Sequence, residues 1–380
     1  MYEKIPITNE FNQDFFIRKD RLESIKNELE DFCYSTEFST KSNFPNEILF
    51  THELKNNNAI EGYYQDLSSI IQIINNPYII KDKSSLDKEY TRIINLYNGY
   101  KYILENNDIN EKNLNILYKI LSSHLLNKDE LINGLYRDSD VFIFFSDNLL
   151  TSPDKGFEPQ NIKPHMDELF KYINDDNNLS EVELFFKSQI IHFYMVFIHP
   201  YFDINGRTAR TTSLWFLNKN KAYPYTIFNR SITYNKRDYY KFIRDVRRYR
   251  NITPFINFVA LNTKLELEKE YIIRNIENIS SVELTPIDKQ MLQYILQNNS
   301  QNTLLDIESF YNRFNPKIKL KDLNTNIMEP LFEKKILLKN GETTKIIYDG
   351  SPNYRFSINP QILDFDKSKI KRLSIDKLYR

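Results

Sequence analysis

The chain of 380 residues balances 51 Lys and Arg against 51 Asp and Glu, so no overall field favours nucleic acid or a membrane surface. Its one cysteine, Cys33, excludes an intramolecular disulfide and a cysteine-rich metal site, and five histidines leave little for a zinc centre. The length suits two or three domains with a substantial core, and the polar stretch from Met1 through Asp20 lacks the apolar segment of an export signal, which predicts a cytoplasmic protein.

In chain order, helical spacing is read over Leu22–Phe32 and Leu67–Ile74, with polar connections between them. The run Asn57-Asn58-Ala59-Ile60-Glu61-Gly62 reads by itself as a helix end, a surface glutamate before a helix-stopping glycine. Gly134–Arg137 followed by Val141–Phe144 predicts a strand and a β-hairpin, and Met166, Leu169, Phe170 and Ile173 recur at helical spacing. Ser180-Glu181-Val182-Glu183 forms a capping box ahead of the almost uniformly apolar run Leu184–Ile198. That run contains Lys187, Gln189 and His192 and is too short for a bilayer span, so it predicts a buried core helix with His192 as a core residue. A second helical segment covers Gly206–Leu217.

Between Arg230 and Arg250 eight Lys and Arg face only Asp238 and Asp245, a pattern read as a solvated face or as a docking surface for an acidic partner. Thr253-Pro254 supplies an N-cap and a first-turn proline for a helix running towards Ile279, and Ser280-Ser281 reads as a linker. From Thr285-Pro286 the pattern gives three helices, through about Leu296, over Leu304–Arg313 and near Leu323–Lys334, the last interrupted by Pro330. Strand-like runs follow at Lys335–Lys339, Lys345–Tyr348 and Tyr354–Ile358, with Asn340-Gly341 as a turn between the first two. Three helices and a small hairpin resemble a winged helix.

The chemistry concentrates in His199-Pro200-Tyr201-Phe202-Asp203-Ile204-Asn205-Gly206-Arg207-Thr208-Ala209-Arg210, which joins the two central helices. His199 is a base that titrates near neutral pH. Asp203 is a hard oxygen donor suited to Mg²⁺. Asn205-Gly206 marks a turn into a helix whose free N–H groups and dipole make an anion site. Asn205 can donate to phosphate oxygens. Arg207 and Arg210, three apart, share a helix face and offer guanidinium forks that match phosphate.

This segment resembles the motif of the Fic family, H-x-F-x-[DE]-G-N-G-R-x-x-R, with His199, Asp203, Asn205, Gly206, Arg207 and Arg210 in register. Tyr201 replaces the usual Phe. Ile204 replaces the first Gly, where a β-branched residue narrows the backbone and adds bulk. The resemblance extends over roughly residues 95–265, since Gly134–Arg137 and Val141–Phe144 look like the flap that holds the target segment. Asn57–Gly62 further resembles the family's inhibitory motif [ST]-x-x-x-E-[GN], with Asn57 at the Ser/Thr position; it implies that Glu61 pairs with Arg210 and competes with a phosphate for one guanidinium.

The resemblance implies a mainly α fold, a Fic-type helical core with a small β-hairpin flap, followed by a winged-helix-like module. The expected division is an N-terminal helical region over 1–95, the Fic core over 96–265, a helix end and linker over 266–284, and the winged-helix-like domain over 285–380. It also implies a protein adenylyltransferase that moves AMP from ATP, with Mg²⁺, to a Ser, Thr or Tyr hydroxyl of a target protein or of itself. His199 would be the base, Asp203 the metal ligand, Asn205, Gly206, Arg207 and Arg210 the nucleotide site, and Glu61 the inhibitor. Because the Doc branch also lacks the first Gly, phosphate transfer stays open, as does a nucleotide-sensing regulator that binds DNA through the C-terminal module. A homodimer is left open too.

Overall fold

A computed structural model describes residues 2–38, 47–76, 88–130, 134–143, 154–175, 178–298, 303–342 and 353–370. Among the described residues the fold is mainly helical with three two-stranded antiparallel sheets. Two compact units divide the described residues, one drawn from Met1–Tyr63 and Gln72–Thr263, the other from Tyr64–Ile71 and Lys264–Arg380. The N-terminal region expected over 1–95 therefore lies mostly within the same unit as the expected core.

The first unit opens on a hairpin absent from the sequence reading, β1 (Glu3–Thr8) paired with β2 (Asp14–Ile17). Ile5, Ile7, Phe15 and Ile17 are its buried side chains, as alternation along a half-buried strand requires. Asn9 Oδ1 closes the turn by accepting from the N–H groups of Phe11 and Gln13. Helices follow as α1 (Lys19–Ser35), α2 (Glu47–Ile60), α3 (Leu67–Asn75), α4 (Lys88–Glu105) and α5 (Glu111–Ser122), of which α3 is divided, its residues through Ile71 counting with the second unit. A short ladder joins β3 (Phe142–Ile143) to β4 (Asp154–Lys155). It gives the expected hairpin, although Gly134–Tyr136 form bends and not a strand, and Phe144 lies outside the described residues.

The core is organised around α6 (Pro159–Ile173), α7 (Glu181–Ile198) and α8 (Asn205–Lys219). α7 is apolar all round and buried along nearly its whole length, the behaviour of a helix with no solvent face. Its capping box is complete: Ser180 Oγ accepts from Glu183 N–H, and Glu183 accepts from Ser180 N–H. α8 packs against α7, α4, α5 and α2, so the helix carrying both motif arginines is enclosed by four others. His192 is a core residue as expected, stacked on Tyr239 with Nε2 3.0 Å from the Tyr239 hydroxyl. α9 (Phe228–Tyr234), α10 (Lys236–Tyr249) and the start of α11 (Thr253–Ser280) complete the unit. The basic cluster does not form one face. Arg230 is buried, Arg247 lies over the Phe197 ring, and Arg237, Lys241 and Arg248 are exposed.

In the second unit, α12 (Pro286–Gln297) and α13 (Leu304–Phe314) start on Thr285 and Thr303, each accepting from an N–H three residues on. The third helical run consists of α14 (Leu320–Leu323), a π turn (Asn324–Met328) and α15 (Glu329–Glu333). Pro330 has no N–H to give the preceding turn, and the wider π turn carries the chain past it. β5 (Leu337–Glu342) pairs with β6 (Tyr354–Ile358). Asn340-Gly341 is thus not a hairpin turn but part of β5, at an irregularity where Gly341 takes φ +107°. The expected Lys345–Tyr348 strand lies outside the described residues.

Candidate active site

The loop between α7 and α8 departs from regular backbone at both ends. His199 terminates α7 in the left-handed region at φ 55°, its N–H donating to Met195 O, and Ile204 precedes α8 at φ 66°. Left-handed backbone costs an L residue roughly 1–2 kcal/mol, and a β-branched residue there is an outlier. Ile204 bears that cost with its side chain buried, which explains physically why glycine suits this position. α8 has no side-chain cap, so the first N–H groups of its dipole's positive end have no partner from a capping side chain.

Two braces hold the loop. Asn205 is buried and binds the Tyr201 backbone at both ends of its amide, accepting from Tyr201 N–H at 3.0 Å and donating to Tyr201 O at 2.8 Å. In this structure it therefore positions the loop instead of presenting its amide to an anion. Arg137 is the second brace, which the sequence reading assigned only to the flap. Its N–H donates to Pro200 O at 3.0 Å, Nε to His199 O at 2.8 Å, and its terminal nitrogens to Ser139 O and Phe157 O. Tyr201 stacks on Tyr118 with ring centroids 3.6 Å apart, which fixes the loop from below.

His199 Nδ1 lies 3.4 Å from Val196 O. Placing the ring proton there leaves Nε2 as the free base. Burial pushes its pKa down to about 4 despite the Val196 carbonyl, and the nearby Arg137 and Arg247 cations push the same way, so the imidazole is neutral at neutral pH. Asp203 is exposed and accepts from Ile204 N–H at 2.6 Å. One exposed carboxylate with further lone pairs is a donor set that fits Mg²⁺, which takes one or two protein carboxylates and fills its shell with phosphate and water.

Arg210 is 1% exposed and is gripped from α2. Its terminal nitrogen meets Glu61 Oε1 at 2.5 Å, and its Nε donates to Asn57 Oδ1 at 2.8 Å. The Asn57 amide in turn donates to Tyr100 Oη at 3.0 Å. Asn57 thus holds the same arginine that Glu61 pairs with. Burial alone would raise the Glu61 pKa, but Arg210, Arg207 and Lys236 overcome it and hold the carboxyl below its ordinary range. Gly206 makes the approach sterically feasible, since a Cβ there would overlap Glu61 Oε1. Gly62, at φ +88°, turns the chain away directly after Glu61. All the expected site residues therefore lie around the start of α8, with Glu61 reaching it from just past the end of α2.

Residues 108–217 match the model of the Fic/DOC family. Protein adenylyltransferase Fic of Nematostella vectensis is 28% identical over 228 residues, covering 58% of this chain and 48% of that protein. Protein adenylyltransferase fic-1 of Caenorhabditis elegans is 22% identical over 246 residues, 62% of this chain and 45% of that one. The chain thus spans about half the length of the curated relatives it matches. A crystal structure of a Fic family protein from Desulfovibrio desulfuricans G20 superposes with a TM-score of 0.55 at 16% identity, over 89% of this chain and 96% of that one. Fic-1 of C. elegans superposes with a TM-score of 0.50 at 18% identity, over 67% and 73% of the two chains. The motif residues gather at one helix start within the segment that matches the Fic/DOC family model, on a fold similar to that of solved Fic family structures.

Proposed function

We propose that the protein is a protein adenylyltransferase that moves AMP from ATP to a Ser, Thr or Tyr hydroxyl of a target protein, itself included, and that Glu61 restrains it. The observation that carries this reading is one geometry: an uncapped helix start with a neutral His199 on its loop and a carboxylate already seated on Arg210. A site built to hold anions, and occupied in the resting chain by an anion of its own, is what an autoinhibited nucleotide enzyme needs. The names of the relatives support AMP as the transferred group.

In this mechanism the β3–β4 hairpin lays the target segment beside the loop. His199 Nε2 takes the proton of the incoming hydroxyl. The hydroxyl oxygen bonds to the α-phosphorus while the bond from that phosphorus to the α,β-bridging oxygen breaks, and the electron pair leaves with pyrophosphate. The α8 N–H groups and Arg207 steady the phosphates, and Arg210 receives the γ-phosphate once Glu61 withdraws. Preorganised charge of this kind is normally the largest part of phosphoryl-transfer catalysis. Asp203 would hold Mg²⁺, which supplies charge neutralisation across the phosphates.

No helix among the described residues is long and apolar enough to cross a membrane, and a cytoplasmic site of action belongs to the same reading. We read the C-terminal unit as a winged-helix-like module for protein contacts. Its Lys339 pairs with Glu329 at 2.9 Å, which offsets the positive charge that DNA phosphates would need. The test is incubation with ATP labelled at the α- or γ-phosphate and a cell lysate, followed by mass spectrometry. Label from the α-position on a hydroxyl supports the reading; label from the γ-position alone replaces it with phosphate transfer, the alternative that Ile204 keeps in view.

A further inference from the structure

Two arginines share one tyrosine ring beside this site. Tyr63 follows the Gly62 turn, and its ring lies under the Arg92 guanidinium, with Cζ 3.7 Å from the ring centroid; the Arg207 Cζ stands 5.9 Å from the same centroid. Arg92 comes from α4, far from the motif in sequence. Arg207 is 5% exposed, and the Nε atoms of both arginines are buried without a hydrogen-bond partner. Among the described residues neither guanidinium has a hydrogen bond or an ion pair. Glu61 and Asp203 act on Arg207 only through their charge, against the burial that lowers its pKa.

Such a pairing is unfavourable in a resting protein. Two like charges near one ring repel, a buried charge without a partner is costly, and a cation over a ring recovers only part of that cost. The geometry resolves the difficulty if an anion completes it. Stacking uses the face of the guanidinium plane, whereas its N–H donors point out along the edge, so Arg92 can stay on Tyr63 and still donate.

We propose that Arg92 is a further polyphosphate-binding residue of this site, presented beside Arg207 by the Tyr63 ring. The proposal rests on the nucleotide reading above and adds to it a residue outside the motif. Arg92 then contributes to holding the triphosphate, and the base and ribose do not depend on it.

The test uses the full chain carrying Glu61→Gly, with and without Arg92→Ala or Arg92→Lys. Binding of an ATP analogue whose α,β-bridge is a methylene group, and of adenosine, is measured by calorimetry. Arg92→Ala should weaken the analogue about tenfold, the scale of one charge-assisted hydrogen bond, and leave adenosine unchanged. Arg92→Lys, which keeps charge but loses the fork, should fall between. Equal analogue affinity with and without Arg92→Ala overturns the proposal alone. Equal weakening of analogue and adenosine also overturns it, since that marks a structural role. A Glu61→Gly parent that binds no nucleotide overturns the nucleotide reading, and this proposal with it.

Discussion

Two consecutive helices begin in opposite ways. α7 starts on Ser180 with extended backbone and a reciprocal capping box, so its first N–H groups are satisfied locally. α8 starts on Ile204 in the left-handed region with no side-chain cap. The first start serves stability. The second accepts backbone strain, leaves its N–H groups without a cap, and gathers His199, Asp203, Arg207 and Arg210 around them. A helix start that breaks the local rules, within a core that otherwise obeys them, is where function is expected to reside.

Loss of the base should give the largest effect that separates the two starts. His199→Ala should lower transfer by about 10²- to 10⁴-fold, the range of general-base catalysis, while nucleotide affinity stays close to that of the parent. Transfer at the unchanged rate would remove His199 from the mechanism. Asp203→Ala should abolish Mg²⁺ stimulation along with activity, measured by titrating the metal against labelling rate.

The pH dependence comes next. In the proposed mechanism His199 acts as a base only when neutral, and its folded pKa is depressed to about 4, so the acid limb of kcat/KM should lie well below pH 6.5. A limb at or above 6.5 would contradict the half-buried, neutral imidazole. Stability runs in the same direction. The His199 and His192 pKa values are both lowered by burial, so the unfolded chain binds more protons below its own histidine pKa. This contribution to stability should therefore be fully present above about pH 6.5 and be lost as pH falls from there towards 4, which urea titrations at fixed pH values will follow.

The smallest effects compare the helix starts directly. Ser180→Ala should cost about 1 kcal/mol by removing a cap and leave activity unchanged. At Ile204 the usual order of substitutions should invert. Ile204→Ala loses the buried side chain and keeps the strained backbone, whereas Ile204→Gly loses the side chain but relieves the strain, so Gly should be the more stable by roughly 1 kcal/mol. Ala more stable than Gly in thermal or urea unfolding would mean that the position carries no left-handed strain.

Much of this was legible in local sequence. The capping box at Ser180, the helix opening at Thr285-Pro286, the helix over Leu304–Arg313, the apolar α7 and the motif loop follow from neighbours a few residues apart, and the structure has them close to where the spacing places them. What escaped depends on distant partners or on backbone geometry. The β1–β2 hairpin has one strand of four residues and one interrupted by Pro6, too short and irregular for alternation to register. Asn340-Gly341 has the composition of a turn, yet its strand runs through it, because pairing with Tyr354–Ile358 decides the outcome. The Arg137 brace and the Asn57 contact with Arg210 join residues 62 and 153 positions apart. No local pattern encodes them.

The most direct test of the central claim, that Glu61 occupies the seat of a phosphate on Arg210, is a double-mutant cycle. Incorporation of label from the α-phosphate of ATP is measured for the unaltered protein, Glu61→Gly, Arg210→Ala and the double variant. Glu61→Gly should raise incorporation by about tenfold or more, with Glu61→Gln smaller because the amide keeps size and one acceptor but loses the charge. Arg210→Ala should be inactive and should cancel the gain in the double variant, since both changes act on one contact. Equal incorporation by the unaltered protein and Glu61→Gly across a range of ATP concentrations would contradict the claim and leave the Glu61–Arg210 pair as a structural ion pair.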